Sequence, residues 1–357
     1  MKVLVGMSGG VDSSAAAYLL KKAGHEVIGA TMSIWDQNND FKNMTGKEGC
    51  FSPHEDKDIE AARKVCQALD IPYYVFDCTA EYKKIVLANF KSEYLAGRTP
   101  NPCVLCNATI KFAALPRTAK ANGLEFDKFA TGHYAGLAYD EAAGRYQLKT
   151  GADQRKDQSY FLYRLTQEQL AEIMLPLGEY TKAQIREIAK EAGLEVFDKP
   201  DSQDFYSGDI NDIIQEAPRV GNFVNKDGKI LGQHQGFWNY TIGQRRGMGV
   251  SAEKPLYVIG LNKDQNEVIL GFADETFKSG LTAGNLNWVS VSAPSEPFAC
   301  QAKIRSSQKP VAVSVTPGVD KVSVEFDDLQ KALTPGQSIV FYRDNLLLGG
   351  GFIESAF

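Results

Sequence analysis

The sequence predicts an α/β protein with an N-terminal doubly wound parallel-sheet domain over residues 1–200. A small mixed domain follows over 201–272, and a C-terminal β-barrel over 273–357. Three observations carry this reading. The apolar run 1–5 (MKVLV) breaks into residues 6–14 (GMSGGVDSS) and then into a helical pattern, which is a strand, a tight turn and a helix N-terminus. Strand-like and helix-like segments then alternate to about residue 192, as in βαβ units. After Asp274 the pattern changes to short strands of alternating polarity.

The turn at 6–14 is built for an anion. Gly9 and Gly10 let the backbone take positive φ and approach a ligand closely, while first-turn amides and the hydroxyls of Ser8, Ser13 and Ser14 point at it. A Walker loop requires GxxxxGK[ST], and no lysine follows these glycines; a dinucleotide turn requires GxGxxG, which Gly6, Gly9 and Gly10 do not match. SGGVDS directly behind a first strand instead resembles the pyrophosphate-binding loop of the ATP pyrophosphatases. That resemblance implies ATP as the ligand and places Asp12 near magnesium.

A length of 357 residues exceeds one typical domain, and the 43% hydrophobic fraction is that of a globular protein. No apolar run approaches the ~20 residues of a membrane span, and Met1 opens straight into the first strand, so a cytoplasmic location without a signal peptide is expected. The six cysteines are scattered except for one pair, which argues against a disulfide framework. The net charge of −5 alone argues against a nucleic-acid partner, but two stretches are basic. Residues 91–120 carry five cations against one carboxylate, and residues 229–254 carry four against one. Basic islands on an acidic chain suit a selective polyanion partner.

Along the chain, residues 25–32 (HEVIGATM) read as a second strand whose end, Met32, faces the crevice where an adenine would lie. The stretch 35–52 reads as a loop, with Cys50 in it structural or a bystander. A helix over 56–69 puts Cys66 on its apolar face, residues 71–76 form a third strand, and 81–94 a further helix. Residues 98–107 (RTPNPCVLCN) read as a loop stiffened by Pro100 and Pro102, carrying Cys103 and Cys106 ahead of a helix over 108–122. Proximity to that helix N-terminus and to Lys111 favours a nucleophilic thiolate. Half a zinc site is the competing reading of CxxC, but the chain offers no second pair at zinc spacing.

A short strand over 126–130 leads to residues 131–135 (TGHYA), which bring Gly132 and His133 to the edge of the crevice. Residues 156–162 (KDQSYFL) mix a cation, polar groups and aromatics that suit phosphate contact and base stacking. A helix over 181–192 is closed by Gly193, and 199–209 reads as a linker. Residues 221–271 are glycine-rich and short-stranded, with 240–249 (YTIGQRRGMG) as a basic turn; strands at 299–304, 311–315, 321–326, 338–342 and 346–352 make the barrel.

Read together, SGGVDSS, RTPNPCVLCN, TGHYA, KDQSYFL, HQGFWNYTIGQRRGMG, PGQSIVFY and LGGG resemble the tRNA-specific 2-thiouridylases over nearly the whole chain. The resemblance implies an N-terminal PP-loop ATP pyrophosphatase domain that adenylates the 2-position carbonyl oxygen of the wobble uridine. A cysteine-borne sulfur then attacks and AMP leaves. It implies that Gly6, Met7, Ser8, Gly9, Gly10, Val11, Asp12, Ser13, Met32 and Gly132 hold ATP, with Cys106 as nucleophile. Asn101, Pro102 and Cys103 would lie against the base, and His133, Lys156, Asp157, Gln158, Arg305, Ser306 and Gln337 would meet the tRNA. The implied partners are the tRNAs for Lys, Glu and Gln and a sulfur-donor protein or desulfurase relay.

The chain departs from the family at one point. A second cysteine is usual in the segment matching residues 201–207, and here the sequence is DSQDFYS with Tyr206 at the place. Where Cys103 stands, a common form of the family has Asp. Cys103 would replace the missing carrier or resolving thiol; alternatively, Cys103 and Cys106 would ligate an iron–sulfur cluster with a third ligand elsewhere, or thiolation has been lost. An ATP-dependent ligase of the same superfamily would share the first loop but leaves CVLC unexplained. A non-catalytic tRNA-binding descendant would show no pyrophosphate exchange.

Overall fold

The computed structural model describes residues 1–38, 49–199 and 205–357. Strand β1 (Lys2–Gly6) leads through α1 (Val11–Lys22), β2 (Glu26–Ser33) and α2 (Glu55–Ala68) to β3 (Tyr73–Asp77). A helical run over 79–95 follows, made of α3 (Thr79–Tyr82), a π-helical turn Lys83–Leu87 and α4 (Ala88–Leu95). A second run over 102–121 joins α5 (Pro102–Cys106), a π-helical stretch Asn107–Ala114 and α6 (Leu115–Ala121). Then come β4 (Lys128–Ala130), the hairpin β5 (Ala135–Asp140) and β6 (Arg145–Thr150), α7 (Gln167–Glu172), β7 (Ile173–Met174) and α8 (Lys182–Glu191).

Five of these strands form a wholly parallel sheet in the order β3-β2-β1-β4-β7. Alternation along β1 explains the two layers on it. Val3 and Val5 pack with Ala15, Ala16, Leu20, Ile185 and Ala189 of α1 and α8, while Leu4 faces the opposite core of Val86, Phe90, Ile110 and Leu115. Each Val, Leu, Ile or Phe among them contributes about 1.5–3 kcal/mol by leaving water. The order reverses between β1 and β4, so the crevice at their carboxyl ends is the natural ligand position of the sheet.

The central unit begins with α9 (Ile210–Ile214) and holds β8 (Gly221–Val224), β9 (Ile230–His234), β10 (Tyr257–Asn262) and β11 (Glu267–Gly271), in the order β10-β11-β8-β9. The third unit is a barrel of six strands, β12 (Phe277–Trp288), β13 (Phe298–Lys303), β14 (Val311–Pro317), β15 (Lys321–Lys331), β16 (Ser338–Arg343) and β17 (Leu346–Ala356), closed by pairing of β12 with β17. Its longest strand, β12, escaped the periodicity reading because glycines and asparagines interrupt its alternation. The β5–β6 hairpin of the first unit joins the barrel sheet, with Leu148 opposite Leu347.

The stretch 98–107 corrects a sequence expectation. The helix begins at Pro102, with Asn101 as N-cap accepting from the Val104 N–H at 3.3 Å, so Cys103 and Cys106 are helical rather than on a loop. Proline at the first helical position lacks only an N–H that would have had no intrahelical partner, which is why Pro102 starts the helix instead of delaying it.

Candidate active site

The turn between β1 and α1 is held by its own hydroxyls. The Ser8 N–H donates to Ser13 Oγ at 3.1 Å, while the Ser13 and Ser14 hydroxyls donate to the Gly10 carbonyl at 3.2 and 2.8 Å. Gly10 caps α1 without a side chain, so the first-turn amides of Val11, Asp12 and Ser13 keep no side-chain acceptor and face the crevice. Two glycines are required by space. Gly9 has φ +68° and a Cβ there would lie 2.4 Å from the Asp58 carbonyl oxygen; at Gly132 it would lie 2.6 Å from the backbone of Asp12. Gly132 thus brings the end of β4 directly onto the turn. Met32, at the end of β2, packs half-buried on the adjoining core.

Asp12 has a role that the sequence did not suggest. Lys182 Nζ lies 2.8 Å from both of its carboxylate oxygens, and the Tyr134 hydroxyl donates to Oδ1 at 2.7 Å. Lys182 is buried and fixed as the first residue of α8 by a capping box between Thr181 and Gln184. An ammonium is therefore seated beside the turn. Both carboxylate oxygens of Asp12 are thus engaged within the chain. Lys199 adds a second cation, donating to the Gly9 carbonyl at 3.2 Å and pairing with Asp58 at 2.6 Å. Neither lysine is detectable by local spacing, since Asp12 and Lys182 are 170 residues apart.

The thiols lie behind this crevice. Cys106 is buried and Cys103 half-buried. Burial pushes the Cys106 thiol up to about 12 and raises Cys103 as well, against the pull of the nearby Lys111 cation. Desolvation thus acts against the expected thiolate and outweighs the Lys111 cation. His133 connects the two halves. It follows Gly132, its Nδ1 lies 2.8 Å from Thr131 Oγ1, and its ring sits 5.5 Å from Phe112. Burial first, and Lys111 second, hold it neutral with its pKa well below 6.5.

Several residues assigned to tRNA contact are engaged within the chain. Asp157 is buried against Lys303 Nζ at 2.8 Å, and Gln158 accepts from the Tyr134 N–H at 3.0 Å. Of the aromatics expected for base stacking, Phe161 is half-buried and Tyr160 fully buried, the Tyr160 hydroxyl donating to the Ser338 carbonyl at 2.9 Å. Asp157 and Tyr160 fasten the barrel to the first unit. Gln337 does the same, donating to the carbonyls of Thr99 and Pro100 at 3.1 and 3.0 Å. Arg305 is exposed and donates to the Ala332 carbonyl at 3.1 Å, beside a half-buried Ser306; Lys156 is half-buried. A cleft of about 470 Å³ opens at this seam, lined by Arg98, Pro100, Asn101, Gly336 and Phe352 among others. Asn101 and half-buried Pro102 begin the cysteine helix at its edge.

The basic islands differ in structure. In the first, Lys91, Arg98, Arg117 and Lys120 pair with Glu216, Glu93, Glu81 and Glu172. In the second, Lys229, Arg245, Arg246 and Lys254 are exposed, and among the described residues they form no ion pair.

A parallel sheet with a hydroxyl-braced glycine turn at its switch point, backed by seated lysines, defines a nucleotide-dependent enzyme of the PP-loop class. Family comparison agrees. Residues 1–206 match a family described as "tRNA methyl transferase HUP domain", 209–272 its "PRC-barrel domain" and 278–353 an "Aminomethyltransferase beta-barrel domain". A "tRNA-specific 2-thiouridylase MnmA" of Endomicrobium trichonymphae is 52% identical over 356 residues, covering 99% of each chain. Proteins of the same name from Clostridium botulinum (strain Alaska E43 / Type E3) and Carboxydothermus hydrogenoformans are 48% and 47% identical over 99% of this chain and 98% and 97% of their own. The chain belongs to the tRNA-specific 2-thiouridylase family.

Proposed function

We propose that this enzyme carries out ATP-dependent 2-thiolation of the wobble uridine of tRNA. The observation that carries the reading is the seating of Gly132 and His133 between the phosphate turn and the cysteine-bearing helical run. Gly132 abuts the backbone of Asp12 and Ser13, the His133 ring lies 5.5 Å from Phe112 of that run, and the Lys111 cation acts through space on both His133 and Cys106. A phosphate site and a thiol are thus brought to one substrate position.

The chemistry requires both. A uridine carbonyl oxygen is a poor leaving group, and its transfer to the α-phosphate of ATP makes it a good one. Residues 6–13 and Gly132 hold the pyrophosphate, Lys182 and Lys199 meet its charge, and Met32 lines the adenine. Magnesium enters with ATP as part of that substrate, and no step is assigned to Asp12 through it. Asp12 and Tyr134 position Lys182. Asn101, Pro102 and Cys103 lie against the base, and Cys106 takes part in the sulfur transfer that follows activation. Neutral His133 fits a hydrogen-bonding role beside the base.

Exposed Arg245 and Arg246, with Arg305 and Lys156, form the tRNA footprint. The tRNAs for Lys, Glu and Gln are the proposed set, a desulfurase relay the proposed sulfur source, and the cytoplasm the proposed place. No helix among the described residues is long and apolar enough to cross a membrane.

The test is single-turnover reaction of tRNA with [α-32P]ATP and a sulfane donor. Release of AMP together with retarded, 2-thiolated tRNA on an organomercury gel is expected. AMP release without thiolation, or label transfer that does not require tRNA, would contradict the reading.

A further inference from the structure

Cys50 belongs to none of the motifs, yet its position is set by the segment in which the family's second cysteine is missing. Its Sγ lies 3.6 Å from the Phe205 carbonyl oxygen, and the Phe51 N–H donates to the same oxygen at 3.0 Å. The Phe51 ring is fully buried, 5.4 Å from Tyr82 and 6.0 Å from both Phe205 and Tyr206. Phe51, Tyr82, Val104 and Cys106 share one core. Cys50 is therefore held beside position 206, and its neighbour Phe51 packs in the core that also contains Cys106.

Tyr82 supplies the second observation. It is fully buried, and its hydroxyl has no hydrogen-bond partner among the described residues. The thiols of Cys50, Cys106 and Cys103 all lie within electrostatic reach of that hydroxyl, and Cys50 is likewise within reach of Cys103 and Cys106. A buried hydroxyl left unmet costs about 1–3 kcal/mol. The ionisable groups acting on this one are the three thiols first and the Glu55 carboxylate after them.

We infer that Cys50 is the sulfur-carrying thiol of the thiolation site, that Cys106 is the thiol that resolves it, and that the Tyr82 hydroxyl donates to the sulfane sulfur held between them. This inference rests on the thiolation reading and deepens it. Exposed Cys50 is reachable by a donor, whereas Cys106 is buried.

The steps balance. The Cys50 thiolate attacks a sulfane sulfur of the donor; a new S–S bond forms, the donor's S–S bond breaks, and the shortened donor leaves with the electron pair. The terminal sulfur of the Cys50 persulfide attacks C2 of the adenylated uridine, and the C2–O bond breaks with AMP taking the pair. The Cys106 thiolate then attacks Cys50 Sγ, forming a Cys50–Cys106 disulfide. The old S–S bond breaks and leaves its pair on the sulfur that becomes the thiocarbonyl. The Cys106 proton goes to solvent, and an external dithiol reduces the disulfide. A persulfide is more acidic than a thiol, so loaded Cys50 carries its charge on the terminal sulfur.

Sulfane loading is read first, on anaerobic full-length protein with inorganic polysulfide, by alkylation and peptide mass spectrometry. It requires neither ATP nor tRNA, so it is judged apart from the thiolation reading. A +32 Da adduct on the Cys50 peptide is expected. After turnover with ATP and tRNA, a Cys50–Cys106 disulfide is expected. Cys50→Ser should lose at least a hundredfold in thiolation while still forming adenylated tRNA. Sulfane on Cys103 with wild-type thiolation by Cys50→Ser, or stoichiometric iron whose removal abolishes activity, overturns the inference.

Tyr82→Phe separates function from structure. Removing an unmet buried hydroxyl should leave Tm equal or higher, whereas thiolation should fall about tenfold at unchanged adenylation. Unchanged thiolation in Tyr82→Phe overturns the role given to the hydroxyl.

Discussion

The nucleotide turn and the thiol cluster are constructed in opposite ways. Residues 6–14 form a site from consecutive backbone, braced by Ser13 and Ser14 within one turn of helix. The thiol cluster is drawn from three separate segments around Cys50, Tyr82 and Cys103–Cys106, set in an aromatic core. Phosphate recognition requires amides and close approach, which a short sequence encodes locally. Sulfur chemistry instead requires desolvated groups whose reactivity appears only on loading, and desolvation is a property of the tertiary structure.

The contrast can be broken at its two ends. The largest effect is expected from Gly132→Val, whose side chain would enter the backbone of Asp12 and Ser13. ATP binding by calorimetry should fall beyond detection while alkylation of Cys103 and Cys106 in the folded variant is unchanged. Loss of both would mean that the regions are one cooperative unit. Next, Lys182→Met should lower tRNA adenylation on the order of a hundredfold, the scale for removing one preorganised charge-stabilising group. An unchanged rate would reassign the Asp12–Lys182 pair to a purely structural role.

A smaller effect sharpens the electrostatics of the cluster. Because burial raises Cys106 to about 12, its alkylation should quicken about tenfold per pH unit through neutrality, and a plateau near pH 8 would contradict that shift. Arg245→Ala and Arg246→Ala should each weaken tRNA binding several-fold and reduce the salt slope by about 1, leaving ATP binding intact.

The smallest concerns His133. Its folded pKa is depressed, so below pH 6.5 the unfolded chain takes up a proton that the folded chain does not, and stability falls as pH falls. A decline of up to about 1.4 kcal/mol per pH unit, flattened in His133→Phe, is the expected thermal-denaturation result.

Legibility in the sequence follows the same division. The parallel sheet, the phosphate turn, Gly132 and the thiol pair were readable because each rests on a run of neighbouring residues. Lys182 and Tyr134 were not, since their partner Asp12 is 170 and 122 residues away. Cys50 read as a bystander in a polar loop because its neighbours Phe205 and Tyr206 arrive from the other end of the domain. Residues 156–162 looked like a stacking surface because composition cannot distinguish exposed aromatics from a tyrosine such as Tyr160 buried under a barrel. The helix start at Pro102 was misplaced by reading proline as a breaker where it acts as a first residue. Residues 201–204 of the family's cysteine segment lie outside those described.

The central claim is that the turn activates the base and the thiols complete the reaction in a separate step. The most direct measurement is transfer of [α-32P]AMP to tRNA by Cys50→Ser in a single turnover with a sulfane donor present. Labelled tRNA should accumulate in this variant with no 2-thiouridine formed, whereas wild type should release the label as AMP. Thiolation at the wild-type rate by Cys50→Ser, or its failure to label tRNA while fully folded, would contradict it.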